Sequence, residues 1–596
     1  SNFKKFILND IENGTTSFNL DLDLENNKIK NYEINGVVKN FFATVSNVDI
    51  IKASFIYSIK ENNGVIDKVR GLINGIQITS GNLTFDNSKT LLINGNLNSD
   101  FNLKKSDINN FLSKNTFQDY KNLKLNGKIK SSFEINFDQT LKLIGYDFKA
   151  SGELKNAEIE FKEPKQYSFI KNKIGKLNVK KSGFKIDLND KNKNLLSLSG
   201  SYSVNSKQLQ KFDISHNFDT NNHKITFKGD FDGEINIPVL NFNTNNKTVN
   251  INTIFEINKN KINLKKFTLE EQKNKIDIKD LILENEQLIK FEKISVKTEK
   301  DDKINNDFSI TFGNKIKVKG SKYDASNLTK LLEKQKNSDF FKNITKEISI
   351  NIREISTNVV DVISNYNLIG NIDRGTFNKI VSKGEFEDGK YLDISLLIDK
   401  TSKKKILEIY SDLPKALLSN YKFFNGLSGG QLLLYSSYDS ETSKTNLTIE
   451  NFKVKEAPGL VKLLSLADFG GMVDALSGEG LSFERLEMKM NKRNKLLTLE
   501  ELYAIGPSIS ILMDGYVESS TDLISLRGTM VPAKTLNKFL SKLPIVGDIL
   551  IPKEIGEGLF GISFKMKGKP GKIKTTVNPV KSLTPRFIQK ALKKSN

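Results

Sequence analysis

Side chains suited to acid–base or metal chemistry are scarce in this chain. Its 596 residues include no Cys, no Trp and only two His, which are His216 and His223. A thiol nucleophile, a thiolate metal site and a disulfide framework are therefore excluded, and a site built from several histidines nearly so. No Ser, His and Asp arrangement and no pair of carboxylates indicates catalysis. We predict no enzyme, no cofactor and no metal site, and we expect both histidines at the surface.

One short motif is typical of nucleotide chemistry. Residues 427–431 read LSGGQ, the signature sequence of ABC-transporter ATPases. That loop acts only beside a phosphate-binding P-loop, and no Gly-Lys pair in the chain is followed by the required Ser or Thr. We therefore expect no nucleotide binding. Gly429 and Gly430 are interpreted instead as a turn before the strand QLLLY.

Most of the chain repeats one element, a short strand with apolar residues at alternate positions, closed by a turn rich in Asn, Asp, Gly or Lys. Such a strand has one apolar and one polar face. This pattern is typical of an antiparallel meander and not of parallel sheets, whose strands are apolar on both faces. The clearest strands carry Phe133, Ile135 and Phe137; Phe184, Ile186 and Leu188; Phe308, Ile310 and Phe312; and Phe560, Ile562 and Phe564.

The number of strands constrains the architecture. At roughly 12 to 15 residues per strand and turn, the chain would supply about 40 strands, more than the ~10 that a twisted open sheet usually carries. Several sandwiches, a closed barrel or a long sheet curled into an open trough would each shield the apolar faces. The pattern alone favours sandwiches over the trough. Helices are expected only as short interruptions, most clearly at 106–117 and 324–335.

Charge and the N-terminal sequence say little about location. The net charge of +21 comes mainly from scattered Lys residues, which indicates a solvated strand face and not a nucleic-acid patch. The chain begins SNFKKFILND, without an initiator Met, a signal-peptide core or a run of 18 apolar residues. We therefore expect a fragment or a mature form, with no nucleic acid as partner.

The C-terminal third resembles a known family. Residues 551–587 combine the strand that contains Phe564, a turn at 568–571 and a helix expected to start at Thr584 and Pro585. In order and spacing, these residues and several segments before them resemble the C-terminal region of the AsmA-like family of bacterial envelope proteins, the YhdP and TamB type. The resemblance covers about 407–592, and it rests on segments 411–434, 445–490, 496–518 and 524–550.

The resemblance implies a fold and a function. The implied fold is all-β: a long antiparallel meander curled into an open trough with a few short capping helices, which reverses the preference for sandwiches. It implies a repetitive groove at 1–320, its continuation at 321–400 and an AsmA-like region at 401–596. The implied function is phospholipid transport between the inner and outer membranes of a Gram-negative envelope. The implied location faces the periplasm, with an inner-membrane anchor absent from this chain.

Within that hypothesis, the alternating apolar residues become candidates for lipid contact. Acyl chains would lie against the faces that carry the four strand sets given above, from Phe133 to Phe564. The expected partners are phospholipids, the inner membrane, and the outer membrane or its proteins. A periplasmic assembly factor for outer-membrane proteins and an extracellular β-rich adhesin remain as alternatives.

Two helical segments are candidates for membrane or partner contact. Leu460, Leu463 and Leu464 form an apolar helical stripe, and the terminal helix combines Phe587 and Ile588 with Lys590. The preferred interpretation of both segments is a structural cap that packs on the sheet. Contact with a membrane or a partner protein is the alternative.

Overall fold

The computed structural model describes most of the chain as two compact units. It describes residues 11–26, 28–45, 48–111, 118–191, 193–205, 207–328, 339–357, 362–418, 426–455, 464–465, 478–518, 520–532, 561–569 and 572–580. Unit 1 comprises residues 1–237 and 242–295, and unit 2 comprises residues 238–241 and 296–596.

The described residues of unit 1 form eighteen strands. They are β1 (Ile11–Glu25), β2 (Lys28–Val45), β3 (Val48–Lys60), β4 (Asn63–Ile73), β5 (Ile76–Asp86), β6 (Leu91–Lys104), β7 (Tyr120–Phe137), β8 (Leu143–Tyr167), β9 (Ile170–Asn189), β10 (Asn194–Val204), β11 (Gln210–Phe218), β12 (Asn222–Phe231), β13 (Asn236–Ile237), β14 (Phe242–Asn243), β15 (Val249–Asn258), β16 (Lys261–Glu271), β17 (Asn274–Glu284) and β18 (Gln287–Lys290).

The chain crosses into unit 2 within β19 (Lys293–Lys300), and fifteen strands follow. They are β20 (Lys303–Phe312), β21 (Ile316–Asp324), β22 (Lys346–Ser356), β23 (Val362–Asp373), β24 (Thr376–Glu385), β25 (Tyr391–Ile398), β26 (Lys405–Ser411), β27 (Leu427–Tyr438), β28 (Thr442–Val454), β29 (Leu481–Arg493), β30 (Leu496–Ile505), β31 (Ile509–Glu518), β32 (Leu523–Pro532), β33 (Gly561–Gly568) and β34 (Lys574–Val580).

The strands form an antiparallel meander, so the predicted all-β fold class is confirmed. In both units most strands pair with their neighbours in sequence, and the separate pair of β13 and β14 is also antiparallel. The ladder between β21 and β22 is parallel. Within each unit the first and last described strands form no ladder with each other, so each sheet is open, as expected for a trough. The described residues form 34 strands, of which β8 alone has 25 residues.

Buried polar side chains fix the chain where unit 2 changes to parallel pairing. The Asp324 carboxylate, at the end of β21, accepts hydrogen bonds from the Asn241 amide (2.7 Å) and the Ser326 backbone N–H (3.0 Å). The Asn306 amide donates to the Leu240 carbonyl oxygen at 2.6 Å. Such satisfied buried groups hold the short 3₁₀ turn Pro238–Leu240 against β20 and β21.

Helices are few and short in the described residues. They include α1 (Lys105–Phe111) and α2 (Pro414–Leu418), with further 3₁₀ turns at Asp339–Phe341 and Glu387–Gly389. The first predicted helix, 106–117, coincides with α1 up to residue 111. The rest of that helix, most of the predicted helix at 324–335, and the terminal helix lie outside the described residues.

Candidate functional site

Strand register gathers apolar side chains on one side of the sheet in unit 1. Directly opposed residues of an antiparallel ladder project to the same side. Phe133 of β7 lies opposite Gly95 of β6 and Phe148 of β8, and Phe148 lies opposite Leu188 of β9. We call this side the apolar face of unit 1. Two rows of opposed residues cross it: Phe18, Gly36, Tyr57, Ile66, Leu83, Gly95, Phe133, Phe148 and Leu188; and Ile186, Leu196, His216, Ile225, Phe255, Leu264 and Leu281.

The opposite side of the same sheet is polar and exposed. In β7 the residues that alternate with the apolar ones include Lys124, Lys128, Lys130 and Glu134, all exposed. Surface ion pairs form between neighbouring strands on this unit, such as Lys121 with Glu160 at 2.7 Å. Such exposed pairs add little stability. The two faces therefore differ in chemistry along the unit, and only one of them suits an apolar ligand.

The apolar face of unit 1 is only partly covered. No side chain in its two rows is fully buried, and most are half-buried. Near one end of β6 and β7, α1 contributes Ile108, which packs against Leu103 and Leu123 in a small buried cluster. Further along the same face Val249 and Leu269 are also buried, whereas the two rows leave apolar surface in contact with water. A ligand of matching chemistry gains free energy by removing that surface from water.

Glycines on the apolar face let aromatic rings lie flat against the sheet. A Cβ atom added to Gly95 would lie 2.4 Å from Cζ of Phe133, and one added to Gly152 would lie 2.7 Å from Cζ of Phe184. Rings that cover a glycine on the neighbouring strand protect its backbone and keep the surface smooth. Which glycine lies beside which aromatic ring depends on strand register, and the sequence pattern does not give register. The other pairs of this kind in unit 1 are Gly36 with Tyr57, Gly64 with Phe85 and Gly127 with Phe101.

Unit 2 has an apolar face of the same kind. Ile310 of β20 lies opposite Val318 of β21, which pairs in register with Ile350 of β22. We call this side the apolar face of unit 2. The row continues through Leu368, Ser382, Ile394, Ile409, Leu434, Leu447, Met488, Leu502, Met513, Gly528, Phe564 and Val577.

The later strands of unit 2 bury their part of this face. Leu447, Met488 and Leu502 are at most 7% exposed, and they belong to a large core cluster. Leu418 of α2 and Leu464 join the same cluster from outside the strands. The side chains of β28 to β31 on this face are thus buried together with two helical residues, whereas the apolar side chains of β20 remain half-buried.

The predicted lipid-contact residues share the expected faces where they are described. The β7 and β9 sets, from Phe133 to Phe137 and from Phe184 to Leu188, are half-buried on the apolar face of unit 1. The β20 set, from Phe308 to Phe312, is half-buried on the apolar face of unit 2. In β33 Ile562 is half-buried, whereas Phe564 is 2% exposed and packs in the core cluster. Phe560 lies outside the described residues.

Of the predicted membrane or partner contacts, the structure describes Leu464. Its side chain is 0% exposed and packs in the core cluster of unit 2, which agrees with the preferred interpretation as a cap. A fully buried side chain has no surface left for a membrane. Leu460, Leu463, Phe587, Ile588 and Lys590 lie outside the described residues.

The two histidines lie together on the apolar face of unit 1, where both side chains are half-buried. Nε2 of His216 and Nδ1 of His223 are 3.1 Å apart, and the ring of His216 stacks on Phe218 with 4.6 Å between centroids. Burial, and then the neighbouring His223, lower the pKa of His216 below its ordinary value of 6.5. The described residues contain no group of three His, Cys, Asp or Glu side chains that could hold a metal.

The LSGGQ residues occupy a strand and not a loop. Gly429 and Gly430 lie inside β27 with φ angles of 68° and 90°, so the predicted turn before the strand is wrong. The ladder with β28 keeps its register across Gly430 and Asn451, which are left unpaired and both have positive φ. Glycine fits because it adopts positive φ without a steric penalty. A segment paired within a sheet offers no helix N-terminus to a phosphate.

Fold and site together define an all-β protein whose successive strands share continuous apolar faces. No family model matches the chain, and no curated protein matches it. The AsmA-like resemblance therefore stays a prediction that rests on the motifs of 407–592. Within the described part of the chain, none of the helices has the length and apolar character needed to span a bilayer.

Proposed function

We propose that this chain conveys phospholipids between the inner and outer membranes of a Gram-negative envelope, as the AsmA-like resemblance implies. In this proposal the full-length protein is anchored in the inner membrane, faces the periplasm and supports the outer-membrane barrier. The observation that carries the proposal is the apolar face of unit 1, which continues from strand to strand and leaves most side chains of its two rows half-buried, although Val249 and Leu269 on the same face are buried. A protein core would bury the whole of such a face.

The physical basis is the transfer of acyl chains from water to this face. Each buried methylene group contributes about 0.8 kcal/mol, so one acyl chain gains several kcal/mol from contact. The charged head group would stay in water at an open end of the strands. No bond is made or broken, and no cofactor is required.

Because similar apolar side chains recur from strand to strand on this face, a bound lipid could move along it. Adjacent strands offer similar apolar side chains, as Phe133 and Phe148 do on β7 and β8. A lipid that shifts by one strand exchanges one such surface for another at little cost. The flat rings over Gly95 and Gly152 keep this path free of projecting side chains.

Photo-crosslinking in cells tests the proposal. A photoreactive amino acid at Phe133, Phe184 or Ile310 should capture phospholipid, because these side chains lie on the apolar faces. Lys185 is the matched control, since it follows Phe184 in β9 but is exposed on the polar side. Equal lipid labelling at Phe184 and Lys185 would contradict the proposal.

A further inference from the structure

Strand β1 forms a free edge of the sheet in unit 1. It pairs with β2 along its length and forms no ladder with any other described strand. Alternate backbone N–H and C=O groups of an edge strand point away from the sheet and are available to a further strand. At 15 residues, β1 offers a long edge.

Along the middle of β1 this edge lacks the devices that usually prevent strand addition. Proteins commonly protect exposed edges with Lys, with Pro, with β-bulges or with short strands. The ladder of β1 has register shifts between Ile11 and Thr15 and between Asp23 and Leu24, but it is regular from Thr15 to Asp23. β34, which pairs only with β33 among the described strands, has seven residues and contains Lys574 and Pro579. β1 contains no Lys, Arg or Pro. The two edge strands are therefore built differently, and only β1 has the character of a pairing surface.

The apolar side of β1 is left open. Leu20 and Leu22 are 49% and 47% exposed, more than the half-buried Ile34 and Tyr32 opposite them in β2. Phe18 is 57% exposed, and Leu24 and the opposed Ile29 are both 61% exposed. They extend the apolar face of unit 1 to its edge. A further strand would cover them with apolar residues of its own at alternate positions.

The polar side of β1 indicates the charge of that strand. Its four ionisable residues, Glu12, Asp21, Asp23 and Glu25, are all acidic. Asp21 lies directly opposite Glu33, which pairs with Lys60 of β3 at 3.0 Å, whereas Asp21 has no ion pair in the described part of the chain. Like charges directly opposite each other are unfavourable. A Lys or Arg residue on an added strand beside Asp21 would give this carboxylate an ion pair, as Lys60 does for Glu33.

We propose that the edge of β1 binds an antiparallel, basic amphipathic strand. Its apolar residues would lie beside Phe18, Leu20 and Leu22, and its Lys or Arg residues beside Asp21 and Asp23. Pairing between the β1 strands of two copies is disfavoured, because it would bring acidic strands together. The partner is thus a strand of opposite charge, which the proposed lipid transport neither requires nor supplies.

Two labelled peptides of the length of β1 test this inference on the whole chain. One alternates Val with Lys, and its twin alternates Val with Glu. We expect the Lys peptide to bind about tenfold more tightly in fluorescence anisotropy. General attraction would favour the Glu peptide instead, because the chain carries a net charge of +21. Bound Lys peptide should slow hydrogen exchange of the β1 amides.

The double variant Asp21→Lys, Asp23→Lys is the matched control. Both residues are exposed, so the fold should persist by circular dichroism, while the peptide preference should reverse. Equal binding of both peptides, an unchanged preference in the variant, or protection away from β1 would each overturn the inference. So would sedimentation evidence of a dimer that the same substitutions abolish, since this would assign the edge to a second copy.

Discussion

The apolar face of unit 1 and the last strands of unit 2 are built from the same kind of antiparallel ladder, but the first is left partly open and the second forms a core. In unit 1 the rows contain half-buried aromatic and aliphatic side chains, several beside glycines. In β28 to β33 the corresponding row, with Leu447, Met488 and Leu502, is buried under α2 and Leu464. The strands are alike, so the difference lies in what covers them.

This comparison separates stability from binding. A face covered by the chain's own helices is a protein core, and changes there act on folding. A face left half-buried contributes less to folding and keeps apolar surface for a ligand. Substitutions on the apolar face of unit 1 should therefore change mainly lipid binding, and substitutions in the last strands of unit 2 mainly the free energy of unfolding.

The largest expected effect comes from truncating a buried isoleucine. Ile449→Ala, at a residue with 0% exposure in β28, should lower the free energy of unfolding of unit 2 by about 2–5 kcal/mol. Ile186→Ala is the matched change on the half-buried apolar face of unit 1 and should cost about 1 kcal/mol. Urea titration of both variants measures the difference. Equal losses would remove the distinction between the two regions.

A methyl group placed under a flat ring should have the next largest effect. Gly95→Ala puts a Cβ atom against the ring of Phe133, and the resulting overpacking should cost about 1–3 kcal/mol of unfolding free energy. Gly183→Ala is the control, because the nearest atom to its added Cβ is 4.0 Å away. Thermal denaturation compares them. Equal melting temperatures of the two variants would show that the ring of Phe133 does not need the space left by Gly95.

A charge on the uncovered face should weaken lipid binding. Ile186→Asp places a carboxylate among apolar neighbours, and we expect about tenfold weaker binding of a fluorescent phospholipid. Lys185→Asp adds the same group one residue away on the exposed side and should leave binding unchanged. Gel filtration with lipid fluorescence measures retention. A loss in Lys185→Asp at least as large as that in Ile186→Asp would point to net charge as the cause, because the first variant changes the net charge by two units and the second by one.

The smallest expected effect concerns pH. The pKa of His216 is lowered by burial, and next by His223, so folding favours the neutral ring. Its contribution to the stability of unit 1 should be complete above pH 6.5 and be lost as the pH falls below that value. His216→Gln should remove that part of the pH dependence. An NMR titration in which His216 titrates above pH 6.5 would contradict this.

Period-2 alternation was enough to predict an all-β antiparallel meander and which residues share a face, whereas the open trough was expected only from the family resemblance. Phe133, Ile135 and Phe137 are on one side because alternation alone decides that. Alternation does not give register, so the contacts of Gly95 with Phe133 and of Gly152 with Phe184 were not predictable. The place of Gly429 and Gly430 inside β27 was missed because a Gly-Gly pair beside an apolar run is equally typical of a turn.

The sequence pattern also does not show which apolar face is covered by other parts of the chain. Leu464 and Phe564 have the same apolar character as Leu188 and Phe184, yet the first two are buried in a core and the others are half-buried. The core cluster of unit 2, which Leu418 and Leu464 join, distinguishes them. The contact between His216 and His223 was not predicted, because the sequence pattern does not show which residues of neighbouring strands lie side by side.

Native mass spectrometry of the chain purified from cells tests the central claim most directly. If the apolar face of unit 1 carries phospholipids, the wild-type chain should retain several phospholipid molecules, and Ile186→Asp should retain fewer while Ile449→Ala retains a normal number per folded chain. A wild-type chain that is free of lipid would contradict the account.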